Sequence, residues 1–508
     1  MSQRPFQATP LLFATLLIAI CSIVYELIIG GLSSYLLGNS VTQFSITIGL
    51  YLFAMGIGSF VSKYIHKKLF DTLTLVEITI GVLGSFSSLL LFICHIYTQI
   101  YPLVMYMMTL SIGLLVGIEI PLLVRIIESH QQNIKSNIAN LFALDYIGGL
   151  IGAIAFPLLL LPKLGYVTVA FVTGLVNLIA ASIIVFRYDQ YLRHRLFFRN
   201  SLVFCFLLVI IFTVYGDKIT NQVESGLYRD QIVYTKQSIY QKIVLTKHKD
   251  DLRLFLDGNV QFSSIDEYRY HEPLVHIPMA ICRNAGRILL LGAGDGLAAK
   301  QLLKYSGITS ITLVDLDEEV IELAKNHHEI CRLNEGSLSH SKVDIIIDDA
   351  YTYLQKGNEP FDVIIIDLPD PNNDALNKLY TTSFYRLIKQ NLKEGGVMVT
   401  QSSSPYFTRN TFWCIHKTIK DEFKYVIPYH VYVPAFGDWG FNLAADFDID
   451  IRNLKVRPDM DYQYINETNL SSMFSFANDE RADTSAISIN TLFKPVLVQY
   501  YESDISKM

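Results

Sequence analysis

The 508-residue chain has room for two or three domains. Its net charge of −6, with no basic stripe following the aromatic residues, argues against a nucleic-acid partner. The apolar excess is confined to the first half, because charged residues are sparse before about residue 216 and ordinary after it.

Seven apolar runs of bilayer-spanning length occupy that half: 10–37, 41–62, 72–97, 102–124, 139–161, 164–186 and 200–216. The first is too long for a cleaved signal peptide, and further spans come after it. Gly56, Gly58, Gly148, Gly149 and Gly152 put small residues where helices can approach closely. Four acids, Glu26, Glu77, Glu119 and Asp145, interrupt the runs. Intramembrane carboxylates face a bundle interior or a wet cavity. They read either as a path for a cation or polyamine or, more economically, as acids near helix ends or hydrogen-bonded in helix packing. Basic residues gather beside alternate loops: Arg4, then Lys63, Lys67 and Lys68, then Arg125 and Lys135, then Arg187, Arg193, Arg195 and Arg199, against Lys163 alone opposite. That bias places the N-terminus in the cytoplasm, and seven spans carry the C-terminal half to the outside. The last run is short, so an interfacial or re-entrant segment is the competing expectation. The six cysteines (Cys21, Cys94, Cys205, Cys282, Cys331 and Cys414) are scattered without a CxxC and read as free thiols.

From about residue 225 the pattern changes. Residues 239–262 alternate in short polar and apolar stretches, as a small antiparallel β-region with a turn at Lys249–Asp250–Asp251. Apolar strands then alternate with helices: RILLLGAG, ITLVDLD, VDIIIDDA, FDVIIIDLPD and GGVMVTQSS are the strands. Such a pattern predicts a parallel sheet covered on both faces, with ligands bound beyond the C-terminal strand ends. Gly292, Gly294 and Asp295 belong to a glycine-rich turn after the first of these strands. The glycines allow close approach of a ligand. The acid disfavours a pyrophosphate and favours a cationic ligand. Asp315, and Asp349 with Ala350, follow the next two strands and suit the ribose and adenine of a nucleoside, or else cap the following helices. Asp367 and Asp370 close the fourth strand in DLPDP. Five acids at four strand ends, without a His or Cys cluster to form a metal site, suggest an adenosine group and organic cations.

The segment 239–443 resembles the spermidine-synthase family of aminopropyltransferases. The resemblance rests on YQKIVL, LFLDGNVQFSSIDEYRYHEPLVHIP, LLLGAGDGLAAKQLLK, LVDLDEEVIELAK, DDAYTYL, FDVIIIDLPDP and GDWGFNLA in family order. Asp315 stands where the family usually has Glu, and the aromatic residue usually offered near 434 is not matched. The preceding runs resemble the family's membrane-anchored branch. The resemblance implies a multi-pass helical membrane domain (1–216), a small β-region (217–265), a Rossmann-like domain of methyltransferase type (266–445) and a C-terminal extension (446–508). It implies decarboxylated S-adenosylmethionine as co-substrate with no prosthetic group or metal, and putrescine or a related diamine as acceptor. It further implies residence in the inner cell membrane among lipids, and a homodimer. Asp367 is then the general base; Gln241, Gly292, Gly294, Asp295, Asp315, Asp349 and Ala350 bind the donor; Gln261 lines its site; and Tyr270, His271 and Asp370 receive the acceptor. An S-adenosylmethionine-dependent methyltransferase, or a membrane polyamine transporter or sensor, are the alternatives. Residues 446–485 are expected to be loose, with FKPVLVQYY (493–501) packing back on the domain.

Overall fold

The computed structural model describes residues 6–38, 40–98, 100–130, 134–216, 218–219, 226–228, 230–282 and 284–507. The chain divides into two compact units, Met1–Gln241 and Lys242–Met508.

The first unit contains helices α1 (Thr9–Leu37), α2 (Ser40–Ser62), α3 (Leu69–Tyr97), α4 (Tyr101–His130), α5 (Ile134–Ala155), α6 (Leu161–Arg187) and α7 (Arg195–Val214), followed by strand β1 (Gln231–Gln237). Six helical stretches among the described residues are long and apolar enough to cross a bilayer, one fewer than the runs read from sequence. The fifth and sixth runs share a single 53-residue stretch, Lys135–Arg187, because a π-helical turn at Phe156–Leu160 joins α5 to α6. Gly165, at φ 69° and ψ 167°, breaks helical geometry inside that stretch. Both arms pack on α1. The last run is longer than its apolar core: α7 begins at Arg195 and is 20 residues long.

Small residues set the helix spacing, but not all of those expected. A Cβ on Gly58 would lie 2.0 Å from Leu114 O, and one on Gly152 would lie 2.8 Å from Ile20 O, whereas Gly56 and Gly149 meet nothing within 4 Å. Glu77 and Glu119 are buried in the middle of α3 and α4, away from the helix ends. Asn177 on α6 donates to Glu77 O at 2.8 Å and Oε2 at 3.2 Å. The acids therefore face the bundle interior, where a buried carboxyl needs such a donor.

In the second unit β2 (Lys242–His248), β3 (Asp251–Leu256) and β4 (Asn259–Ser263) form an antiparallel meander. Asp251 belongs to β3, so the first turn is Lys249–Asp250, with Lys249 at φ 54°. Helix α8 (Tyr268–Ile281) leads to a seven-stranded sheet. Its strands are β5 (Arg287–Gly292), β6 (Ser310–Asp315), β7 (Val343–Ile347), β8 (Phe361–Asp367), β9 (Leu392–Gln401), β10 (Tyr425–Val433) and β11 (Gly437–Ala445), in the order β10-β11-β9-β8-β5-β6-β7. Strands β5 to β9 are parallel, as their continuous apolar runs require. The β10–β11 hairpin adds two antiparallel strands that the sequence reading did not foresee. The chain winds outward from β5 in both directions, so the strand order reverses between β5 and β8. In open α/β sheets that crevice holds the ligand.

The segment 446–485 is tied down rather than loose. Glu272 accepts from the backbone of Gln463, Tyr464 and Ile465 at 2.7–3.0 Å. Trp413 Nε1 donates to Glu480 O. His430 on β10 has Nδ1 2.7 Å from Asp438 Oδ1 and Nε2 2.8 Å from Ser475 O. Burial opposes a charge on this ring, but the bonds to Asp438 and Ser475 raise its pKa. His430, Asp438 and Glu480 have the residue types of a metal site, yet both ring nitrogens are already engaged. Beyond them, α14 (Leu497–Ile505) packs against α13 (Arg409–Lys420).

Candidate active site

The glycine turn and the DLPDP loop are neighbours because their strands are in register, with Gly292 paired to Asp367. The glycines there accommodate the protein before any ligand. Gly292 is at φ 80°, and a Cβ on it would lie 2.0 Å from Asp367 O. A Cβ on Gly294 would lie 2.5 Å from Asp315 Oδ2. Asn334 braces the turn from outside, donating from Nδ2 to Asp295 O at 2.9 Å.

Asp295 accepts from Leu297 N at 2.9 Å; burial raises its pKa and nearby His271 pulls it back. Tyr270 donates its hydroxyl to Asp367 Oδ1 at 2.5 Å. Burial pushes Asp367 up to about 6, with His271 and the Tyr270 bond opposing and Asp295 adding to the rise. Asp370 also reaches about 6 through burial, against the bonds it accepts at Oδ2 from Ser403 Oγ (3.1 Å) and Tyr501 Oη (3.3 Å). Asp315 is likewise pushed to about 6 by burial, and accepts from Asp317 N at 3.0 Å. Three carboxyls are thus held near half-neutralised at mildly acidic pH, a condition that an incoming cation relieves.

Asp349 differs. It caps α11 (Ala350–Gln355) through Thr352 N and is paired with Lys378 at 2.7 Å. Burial would raise it, but those bonds bring its pKa down. The helix-cap alternative therefore describes Asp349, with Ala350 buried as the first residue of α11. It does not describe Asp315, because Asp317 caps the helix Glu318–Asn326.

Beneath the carboxyls runs a chain of charges whose roles the sequence reading did not identify. His271 is 2% exposed, and its Nδ1 lies 2.9 Å from Glu267 Oε2. Glu267 Oε1 accepts from Lys300 Nζ at 2.6 Å. Burial would lift Glu267, but His271 and Lys300 outweigh it and bring it down to about 2. Burial would lower His271, but Glu267, then Asp295 and Asp367, raise it to about 9. His271 was expected to line the acceptor side. It is buried beside Glu267, and its charge opposes the rise of Asp367 and Asp295. The i,i+4 spacing of Glu267 and His271 on the rim of α8 was the available signal. The Gln261 amide donates to Asn259 O at 3.2 Å. Gln241 closes the first unit, its N–H donating to Ser238 Oγ at 3.0 Å.

A spermine/spermidine synthase domain is matched over residues 267–447. A polyamine aminopropyltransferase of Leptospira interrogans is 40% identical over 506 residues, covering 98% of this chain and 99% of that one. The chain belongs to the polyamine aminopropyltransferase family. A second relative of the same name, from Oceanobacillus iheyensis, is 38% identical over 496 residues, 96% of this chain and 95% of that one. A spermidine synthase solved with the transition-state analogue AdoDATO is 25% identical, with 55% of this chain and 89% of that one covered and a TM-score of 0.45. The two relatives match the helical half as well as the α/β half, and their names do not favour the methyltransferase alternative.

Proposed function

We propose that the chain moves the aminopropyl group of decarboxylated S-adenosylmethionine to putrescine, giving spermidine and methylthioadenosine. The observation that carries this reading is the pairing of Asp367, hydrogen-bonded by Tyr270, with the Gly292–Asp295 turn across adjacent strand ends. In this reading donor and acceptor meet between the Asp295 and Asp367 carboxylates.

The attacking amine has a pKa of about 10.4 if lysine-like, so it arrives protonated. Asp367 takes that proton, and Tyr270 holds the carboxylate in the ionised form that can accept it. The freed nitrogen attacks the propyl carbon next to the sulfonium. The C–N bond forms as the C–S bond breaks, and the sulfur keeps the electron pair and leaves as neutral methylthioadenosine. Asp370 holds the acceptor's far ammonium, and Asp295 the donor's own amine. Asp315 takes the ribose hydroxyls, and Asp349 with Ala350 borders the adenine. Charge placement and proximity supply most of the rate.

The helical unit is proposed as a multi-pass membrane anchor in the inner cell membrane, since six stretches have the length and apolarity to cross. Purified protein given decarboxylated donor and a panel of amines tests the reaction: methylthioadenosine release with putrescine supports it. Retention of the donor without release supports a sensor instead.

A further inference from the structure

Residues 448–508 lie beyond the matched synthase domain, yet they brace the DLPDP loop at two points. Asn490 Nδ2 donates to Tyr380 O at 3.0 Å, and Tyr380 Oη donates to Pro369 O at 2.8 Å. Tyr501 on α14 donates to Asp370 Oδ2 beside Ser403. Helix α14 is pinned in turn. Asp504, 6% exposed, accepts from Asn410 Nδ2 at 2.7 Å, Thr411 N at 3.1 Å and Thr411 Oγ1 at 3.2 Å at the start of α13. Asp370 Oδ1 is buried and accepts no hydrogen bond among the described residues. The Gln401 amide is near enough to help hold Asp370 down, but its hydrogen bonds run to Leu368 O and, at 2.8 Å, to Tyr380 Oη. A buried carboxylate oxygen without a donor is incomplete until a ligand supplies one.

We propose that α14 is part of the acceptor site, and that Tyr501 is a positioning residue setting the preference for diamines. With Ser403 it fixes the Asp370 carboxylate through one oxygen, leaving the other for the distal ammonium of the acceptor. This rests on the aminopropyl-transfer reading and deepens it, because it places acceptor selection partly outside the synthase domain.

The test uses the purified full chain and two acceptors, putrescine and n-butylamine, which has the same carbon count without the second ammonium. Tyr501→Phe is expected to raise the KM for putrescine by about 5- to 10-fold. The KM for n-butylamine, the KM for the donor and kcat should change less than about two-fold. Asp504→Asn, which removes no group from the site, should reproduce this selective effect by loosening α14. Methylthioadenosine binding verifies the fold of each variant, and Ser403→Ala serves if Tyr501→Phe does not fold. An unchanged putrescine KM, or an equal rise for both amines, overturns the inference. If the wild-type chain releases no methylthioadenosine, the transfer reading fails. Calorimetric binding of putrescine then still decides this inference: selective weakening by Tyr501→Phe supports it, and equal affinity sinks it.

Discussion

Glu267→Gln separates the electrostatic role of the buried charge chain from its structural one. In the wild type, Glu267 is held down to about 2 and His271 up to about 9. The lowered Glu267 stabilises the fold above its unfolded value near 4.5, a contribution lost as pH falls toward 2. The raised His271 stabilises it below its unfolded value near 6.5, a contribution lost as pH rises through 9. Both contributions are complete between about 4.5 and 6.5. Removing one partner of a buried pair costs about 3 kcal/mol at the low end of the usual range. For a unit of this size that lowers the melting temperature by about 6 to 12 °C.

The larger consequence is for catalysis. Without Glu267, burial dominates at His271, and the ring loses its charge near neutrality. Asp367 and Asp295 then lose the cation that now holds both down. The acidic limb of kcat/KM, set in the wild type near the Asp367 value of about 6, should move upward by about one pH unit. Rate profiles for methylthioadenosine release between pH 5 and 9, paired with thermal melts, read both effects. A lowered melting temperature with an unmoved acidic limb would show that Glu267 and His271 only support the fold.

Asp367→Asn should lower kcat by about 100- to 10,000-fold while methylthioadenosine still binds; wild-type turnover would remove the base assignment. Asp295→Ala should weaken the decarboxylated donor far more than methylthioadenosine, which lacks the amine, and equal losses by calorimetry would leave Asp295 a loop-shaping role. For topology, the 53-residue stretch Lys135–Arg187 is long enough to cross twice about its break at Gly165, which makes seven crossings in all, so a cysteine at the exposed Asp250, in a chain stripped of its six native cysteines, is expected to react with an impermeant thiol reagent on intact cells. Labelling only after lysis would place the catalytic unit inside.

The parallel strands were legible because burial on both faces leaves an unbroken apolar run, as in FDVIIID. The strand-end acids came with them. Reading individual roles from sequence went less far. Asp315 and Asp349 look alike in sequence, but only Asp349 has a lysine opposite it, 29 residues away at Lys378. Tyr501 reaches Asp370 across 131 residues, a contact that no local pattern encodes. The fifth and sixth apolar runs merged although Pro162 and Lys163 separate them, because the π-helical turn at Phe156–Leu160 carries the helix on to the break at Gly165. Residues 446–485 are polar yet ordered, since their backbone groups bond to Glu272, Trp413 and His430 and the Phe476 ring stacks on His430 and packs on Trp413.

The carboxyls also predict how ligand binding couples to protons. Asp367 and Asp370 both sit at about 6 in the free protein, raised chiefly by burial. A diamine carries positive charge to both, and an opposite charge at contact range lowers a carboxyl's pKa by about 1 to 3 units. At pH 6 the free site is about half protonated, so putrescine binding should expel about one proton in total from the pair. At pH 8 both groups are already ionised, and this release vanishes. Proton loss from the attacking amine, where it accompanies binding, is not removed by that change of pH. The difference between the two values therefore isolates the carboxyls. Calorimetric titration with putrescine, in buffers of differing ionisation enthalpy, measures the proton count directly. A count identical at pH 6 and pH 8 would mean that the amine does not contact these carboxyls, and would move the acceptor site elsewhere.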